Sequence, residues 1–171
     1  MAPAQPQPTD GARSPALSIA SIDPEILSNP TAIIATNGAD GRPLLSAIWY
    51  LVHDDRIKMS VTESTQKHRN LANDPSCTIV IFHPDSPDYY VEIRGDITIT
   101  PDPDYAFADQ LGSRYGADLR TFDKPTDRRV VLSLNPVKIN VTDVRAPLGS
   151  RLETPGQRAS TTRKRALPER R

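Results

Sequence analysis

One cysteine in 171 residues excludes an intrachain disulfide, and Cys77 lies in an apolar β-branched run where a buried, inert thiol is expected. No stretch of about 18 successive apolar residues exists, and the first residues carry neither a basic segment nor the apolar run of a secretory signal. A membrane span is therefore not expected, and the expected location is the cytoplasm. No G-x-G-x-x-G follows a strand pattern and no G-x-x-x-x-G-K-[ST] loop occurs, which argues against Rossmann dinucleotide binding and P-loop hydrolysis. Nor is there a G-x-S-x-G elbow for a hydrolase. His53, His68 and His83 are scattered without metal-ligand spacing, so no metal site is expected.

What the chain does have is divided unevenly. Four of its 17 prolines fall within residues 1–16, among Gln, Ala, Ser and Thr, and this arm is expected to be disordered. Residues 145–171 hold eight Lys or Arg against two Asp or Glu and no aromatic residue, which makes a disordered basic tail. Such a tail can touch polyanions nonspecifically, but solvated disorder explains it more simply and no specific nucleic-acid partner is expected. The remaining body, 17–144, has 12 basic and 18 acidic residues, so the net charge of zero conceals an acidic domain. Its length suits one domain.

Within the body the pattern is mostly period two. Asp23-Pro24-Glu25 reads as a helix start, with a capping carboxylate, proline at the first position and an acidic residue at the positive dipole end. Strand patterns follow at 32–36, 44–53 and 56–62, joined by the Gly38–Pro43 turn and by Asp54-Asp55, and they predict a three-stranded meander. Residues 63–73 are too polar for a strand and predict a loop with one or two helical turns, stopped by Asp74-Pro75. Further strands are expected at 77–82 and 89–100, the second interrupted at Arg94-Gly95 by a bulge or bend. Asp102-Pro103-Asp104 opens a helix in which Tyr105, Ala108 and Leu111 recur at helical spacing until Gly116. Arg129–Leu134 and Val137–Val141 are read as two last strands separated by Asn135-Pro136. Six to seven strands with attached helices, in no βαβ rhythm, predict a mainly β antiparallel barrel.

The densest chemistry lies in residues 60–71, which place four hydroxyls, Lys67, Arg69 and Asn70 across a strand-to-helix junction. Free N–H groups at a helix start, hydroxyl donors and an ammonium suit a phosphate. The plainer alternative is that Ser64 or Thr65 caps the helix while Lys67 and Arg69 are solvated; local chemistry leaves both open. Trp49, Tyr50, Tyr89 and Tyr90 are expected to fill a barrel wall, with one or two free to flank a flat ring.

The ordered set Ala35-Thr36, Asp40-Gly41-Arg42-Pro43, Ser46 with Trp49-Tyr50, Thr62-Glu63, Gln66-Lys67-His68-Arg69-Asn70-Leu71 and Asp74-Pro75 resembles the pyridoxamine 5′-phosphate oxidase-like split-barrel superfamily. Within it the set is most similar to the enzymes that use the deazaflavin coenzyme F420. The resemblance spans about Ile26 to Val144. It implies a six- to seven-stranded split β-barrel that works as a homodimer, with a ring bound in a groove between subunits. It further implies an oxidoreductase that transfers hydride from F420 to a small organic substrate, with an FMN-dependent oxidase or reductase, or a noncatalytic flavin or tetrapyrrole carrier, as alternatives. Carried over by position, Pro43, Leu44 and Ser46 would neighbour the ring, Ser60 and Thr62 the phosphate or sugar chain, and Lys67, Arg69 and Asn70 the phosphate. Many relatives carry a cation two places before the lysine, where this chain has Thr65. No catalytic acid or base is singled out.

Overall fold

The structure, a computed structural model, describes residues 18–145. The expected arm lies outside them, as does the basic tail except Arg145, which pairs with Asp143 at 2.6 Å and lays its guanidinium over the Tyr89 ring. In chain order run α1 (Pro24–Ser28), β1 (Thr31–Asn37), β2 (Pro43–Trp49), β3 (Leu51–His53), β4 (Arg56–Thr62) and α2 (Gln66–Asn73). Then follow β5 (Ser76–His83), β6 (Ser86–Pro101), α3 (Ala106–Tyr115), a 3-10 turn at Leu119–Phe122 and β7 (Arg129–Asp143). Both helix-start signals are realised. Asp23 accepts from the Glu25 N–H, and the buried Asp102 carboxylate accepts from the N–H groups of Phe107 and Ala108. Gly116 closes α3 in the left-handed conformation at φ 64°.

The seven strands form one antiparallel sheet in the order β2-β1-β5-β6-β7-β4-β3. Alternation along them turns Ile34, Ile79, Ile81, Ile93, Leu132 and Met59 inward, where they are fully buried. The expected meander is corrected here: the run 44–53 is broken at Tyr50, its first part pairing with β1 and its second with β4. The physical cause is Tyr115. Its phenolic oxygen accepts from the Tyr50 N–H at 3.2 Å and lies 3.0 Å from the Tyr50 carbonyl, drawing both backbone groups out of a ladder. Because β2 and β3 stand at opposite ends of the strand order yet are joined through one residue, the sheet must curl until its edges meet. That closure makes the split half-barrel.

Asn135-Pro136 does not separate two strands. β7 is continuous from Arg129 to Asp143, and the proline sits at the register shift opposite Gly95. A methyl group at Gly95 would collide with the Asn135 carbonyl and press on Pro136. Gly95→Ala should therefore destabilise the fold by about 1–3 kcal/mol, the range for an overpacked core, read from the denaturant midpoint. An unchanged midpoint would show that the two long strands separate here at no cost.

Candidate functional site

The site grows from the junction of β4 and α2. Thr65 is the N-cap: its hydroxyl oxygen accepts from the His68 N–H at 3.2 Å while the hydroxyl lies 2.9 Å from the Thr62 carbonyl and donates to it. The capping half of the sequence alternatives therefore holds for Thr65. Lys67, however, is not simply solvated. It is half-buried, burial holds its ammonium below the ordinary lysine value, and it has no carboxylate partner within ion-pair distance among the described residues.

Lys67 lines a recess of about 420 Å³ together with Ser60, Ala47, Trp49, Phe122 and Arg129. Trp49 is fixed by stacking on Tyr115, with ring centroids 4.5 Å apart and planes within 3°. Arg129 is buried and forked onto Asp123, with both nitrogen–oxygen distances at 2.6 Å. It also donates from Nη1 to Ser60 Oγ at 3.1 Å. Since the Ser60 oxygen accepts that bond, its own proton remains available to donate. An ammonium and a hydroxyl proton, with two apolar aromatic faces beside them, form a receptor for an oxyanion attached to a flat apolar group.

A second recess, also about 420 Å³, opens on the other side of the first turn of α2, lined by Pro43, Leu44, Arg42, Gln66 and Asn70. β2 borders both, with Pro43 and Leu44 at one end and Ala47 to Trp49 at the other. Between them in sequence Ser46 holds a buried Oγ with no hydrogen-bond partner, an unsatisfied hydroxyl on the same strand.

The eight residues singled out from the sequence thus separate into groups. Ser60 and Lys67 share the first recess; Pro43, Leu44 and Asn70 share the second; Ser46 lies on the strand bordering both. The other polar groups are engaged within the fold. Asn70 donates to Thr36 Oγ1 at 3.0 Å and accepts from Gln66, tying α2 to β1. Arg69 donates to the Ser64 carbonyl at 2.7 Å and to Gln66 Oε1, and Thr62 Oγ1 lies 2.9 Å from Ser64 Oγ. Sequence reasoning missed Arg129 and Asp123. The available signal was an arginine heading an otherwise apolar strand six residues after an aspartate.

Elsewhere, burial pushes the Cys77 thiol up to about 12, which leaves it unreactive. Among the described residues no group of three His, Cys, Asp or Glu converges as a metal site, and no helix is long and apolar enough to cross a membrane.

Comparison with known proteins gives a consistent family. The family model described as pyridoxamine 5′-phosphate oxidase matches residues 19–143. A solved structure named as an F420 reductase is 31% identical, covering 67% of this chain and 93% of its own, with a TM-score of 0.59. A conserved hypothetical protein from Mycobacterium tuberculosis is 27% identical over 85% of this chain and 93% of its own, with a TM-score of 0.61. General stress protein 26 from Bacillus anthracis, 18% identical over 70% of this chain and 88% of its own at a TM-score of 0.54, shares the fold. No curated protein matches the chain.

Proposed function

The chain belongs to the pyridoxamine 5′-phosphate oxidase family, and from that premise we propose that it is an oxidoreductase using the deazaflavin coenzyme F420 to reduce a small organic substrate. The observation that carries this reading is the half-buried Lys67, which faces a recess beside a free hydroxyl proton and has no carboxylate to balance it. The donor set fits the coenzyme's phosphate: Lys67 and Ser60 would hold it, while Pro43, Leu44 and the unsatisfied Ser46 hydroxyl along β2 would neighbour the ring. The 31% identity to a structure named as an F420 reductase favours deazaflavin over FMN. When bound, the reduced ring supplies the hydride; the protein supplies position, dryness and charge. Steady oxidation of reduced F420 by purified protein with an organic acceptor is the expected result. Tight FMN binding without deazaflavin binding would favour the FMN enzyme, and binding without turnover would favour a carrier.

The protein is further proposed to work as a homodimer. The outer face of β2, β1 and β5 carries Leu45, 62% exposed, with Ile33, Val80 and Phe82 on the same side by register. An apolar sheet face of this kind is covered in a stable assembly, and a C2 pair is the commonest closed one. Sedimentation velocity should find a dimer at micromolar concentration, and Leu45→Glu should shift it to monomer. A monomeric unmutated protein would contradict the proposal.

A further inference from the structure

The charge balance of the Lys67 recess bears on the kind of phosphate it accepts. Of the cations that line it, Arg129 is already neutralised. Its Nε and Nη2 meet the two Asp123 oxygens, its remaining bonds go to Ser60 Oγ and the Leu119 carbonyl, and both charged side chains are about 5% exposed. Asp123 is held in that role by Tyr105, whose hydroxyl donates to Oδ2 at 2.9 Å. Nearby Arg120 stacks over the Tyr105 ring but is paired with Asp109. Position 65, two residues before the lysine, is Thr65, already occupied as a cap. Lys67 is thus the single unbalanced charge among the residues lining the recess.

A terminal phosphate monoester carries about −1.5 to −2 near neutral pH, with a second pKa of about 6. A phosphodiester carries one negative charge at every such pH. Bringing the second charge of a monoester into a half-buried recess with no further cation incurs desolvation without a compensating pair. We propose that this recess selects a phosphodiester-bearing ring compound over the corresponding terminal phosphate, and that Asp123, by neutralising Arg129, is the residue that sets this preference. The inference rests on the function proposed above and deepens it, because it names the charge class of the ligand. Asp123 acts through Arg129 and is a positioning residue.

The test uses full-length protein and three deazaflavin ligands: the ring nucleoside, its 5′-phosphate monoester and the methyl phosphodiester of that phosphate. Titration by fluorescence gives the dissociation constants. In unmutated protein the diester should bind at least as tightly as the monoester, even though it bears less charge. Asp123→Asn keeps the shape and frees the Arg129 charge, so the monoester-to-nucleoside affinity ratio should rise about 10- to 100-fold, the range of a charge-assisted hydrogen bond. The diester ratio should rise less. A merely structural effect of the substitution would move all three ligands together and would overturn the assignment to Asp123. If Asp123→Asn does not fold, the unmutated comparison still decides: a monoester bound tenfold more tightly than the diester overturns the inference while leaving the deazaflavin reading standing. If none of the three binds, the proposed function itself fails and the inference falls with it.

Discussion

Lys67→Ala is expected to weaken F420 binding about 10- to 100-fold, equivalent to about 1.5–3 kcal/mol, the range for a hydrogen bond to a charged group. The ammonium is the unbalanced cation lining the recess, so its loss leaves the phosphate with a serine hydroxyl and an arginine already held by Asp123. Lys67→Arg should recover only part of the affinity, because a planar fork does not reproduce a compact ammonium in the same space. The effect should be confined to ligands bearing phosphate; the ring nucleoside should lose little. A pH dependence follows from the same residue. Only the charged lysine attracts the anion, and burial lowers its pKa from the ordinary 10.5. Affinity should therefore be full at neutral pH and fall as the pH rises through that lowered value, and Lys67→Ala should abolish this fall. An unchanged dissociation constant in Lys67→Ala would remove the lysine from the site.

The second large effect is on stability. Asp123→Ala should lower the unfolding free energy by about 3–5 kcal/mol, because it leaves the Arg129 guanidinium buried without its carboxylate. The damage should spread locally, since the same arginine bonds Ser60 and the Leu119 carbonyl and so joins β4, β7 and the 3-10 turn. Replacing both members of the pair by apolar residues of similar volume should be much less harmful than removing one. Chemical denaturation of the single and paired variants measures this directly. Equal loss in both would place the stabilisation in packing and not in the charge pair.

The legible parts of this molecule are those governed by neighbours in sequence. Asp23 before Pro24 specifies the start of α1, and Asp102 caps α3 while Gly116 closes it, because caps and turns act over a few residues. Gly95 announced an irregularity in β6, although its reason, the Asn135-Pro136 backbone opposite, lies some forty residues away. The break at Tyr50 was not legible. Nothing local stops the run from 44 to 53, and the interruption is imposed by Tyr115, 65 residues on.

The site shows the same division. Lys67 and Ser60 could be nominated from the hydroxyl-rich junction, and the structure brings them to one recess. Asn70 and Arg69 looked equivalent to Lys67 in sequence, yet their donors are engaged by Thr36, Ser64 and Gln66. Arg129 and Asp123 escaped notice because the meaning of their charges depends on burial, which is a property of the folded sheet. Composition had concealed the pair inside an acidic body.

The central claim is that the β4–α2 corner is an anion receptor that anchors a deazaflavin ring along β2. A crystal structure of the protein with F420 tests it most directly. The account predicts the coenzyme's phosphate within hydrogen-bond distance of Lys67 Nζ and Ser60 Oγ, with the ring against Pro43, Leu44 and Ser46. A coenzyme bound elsewhere, with solvent alone at Lys67, would contradict it.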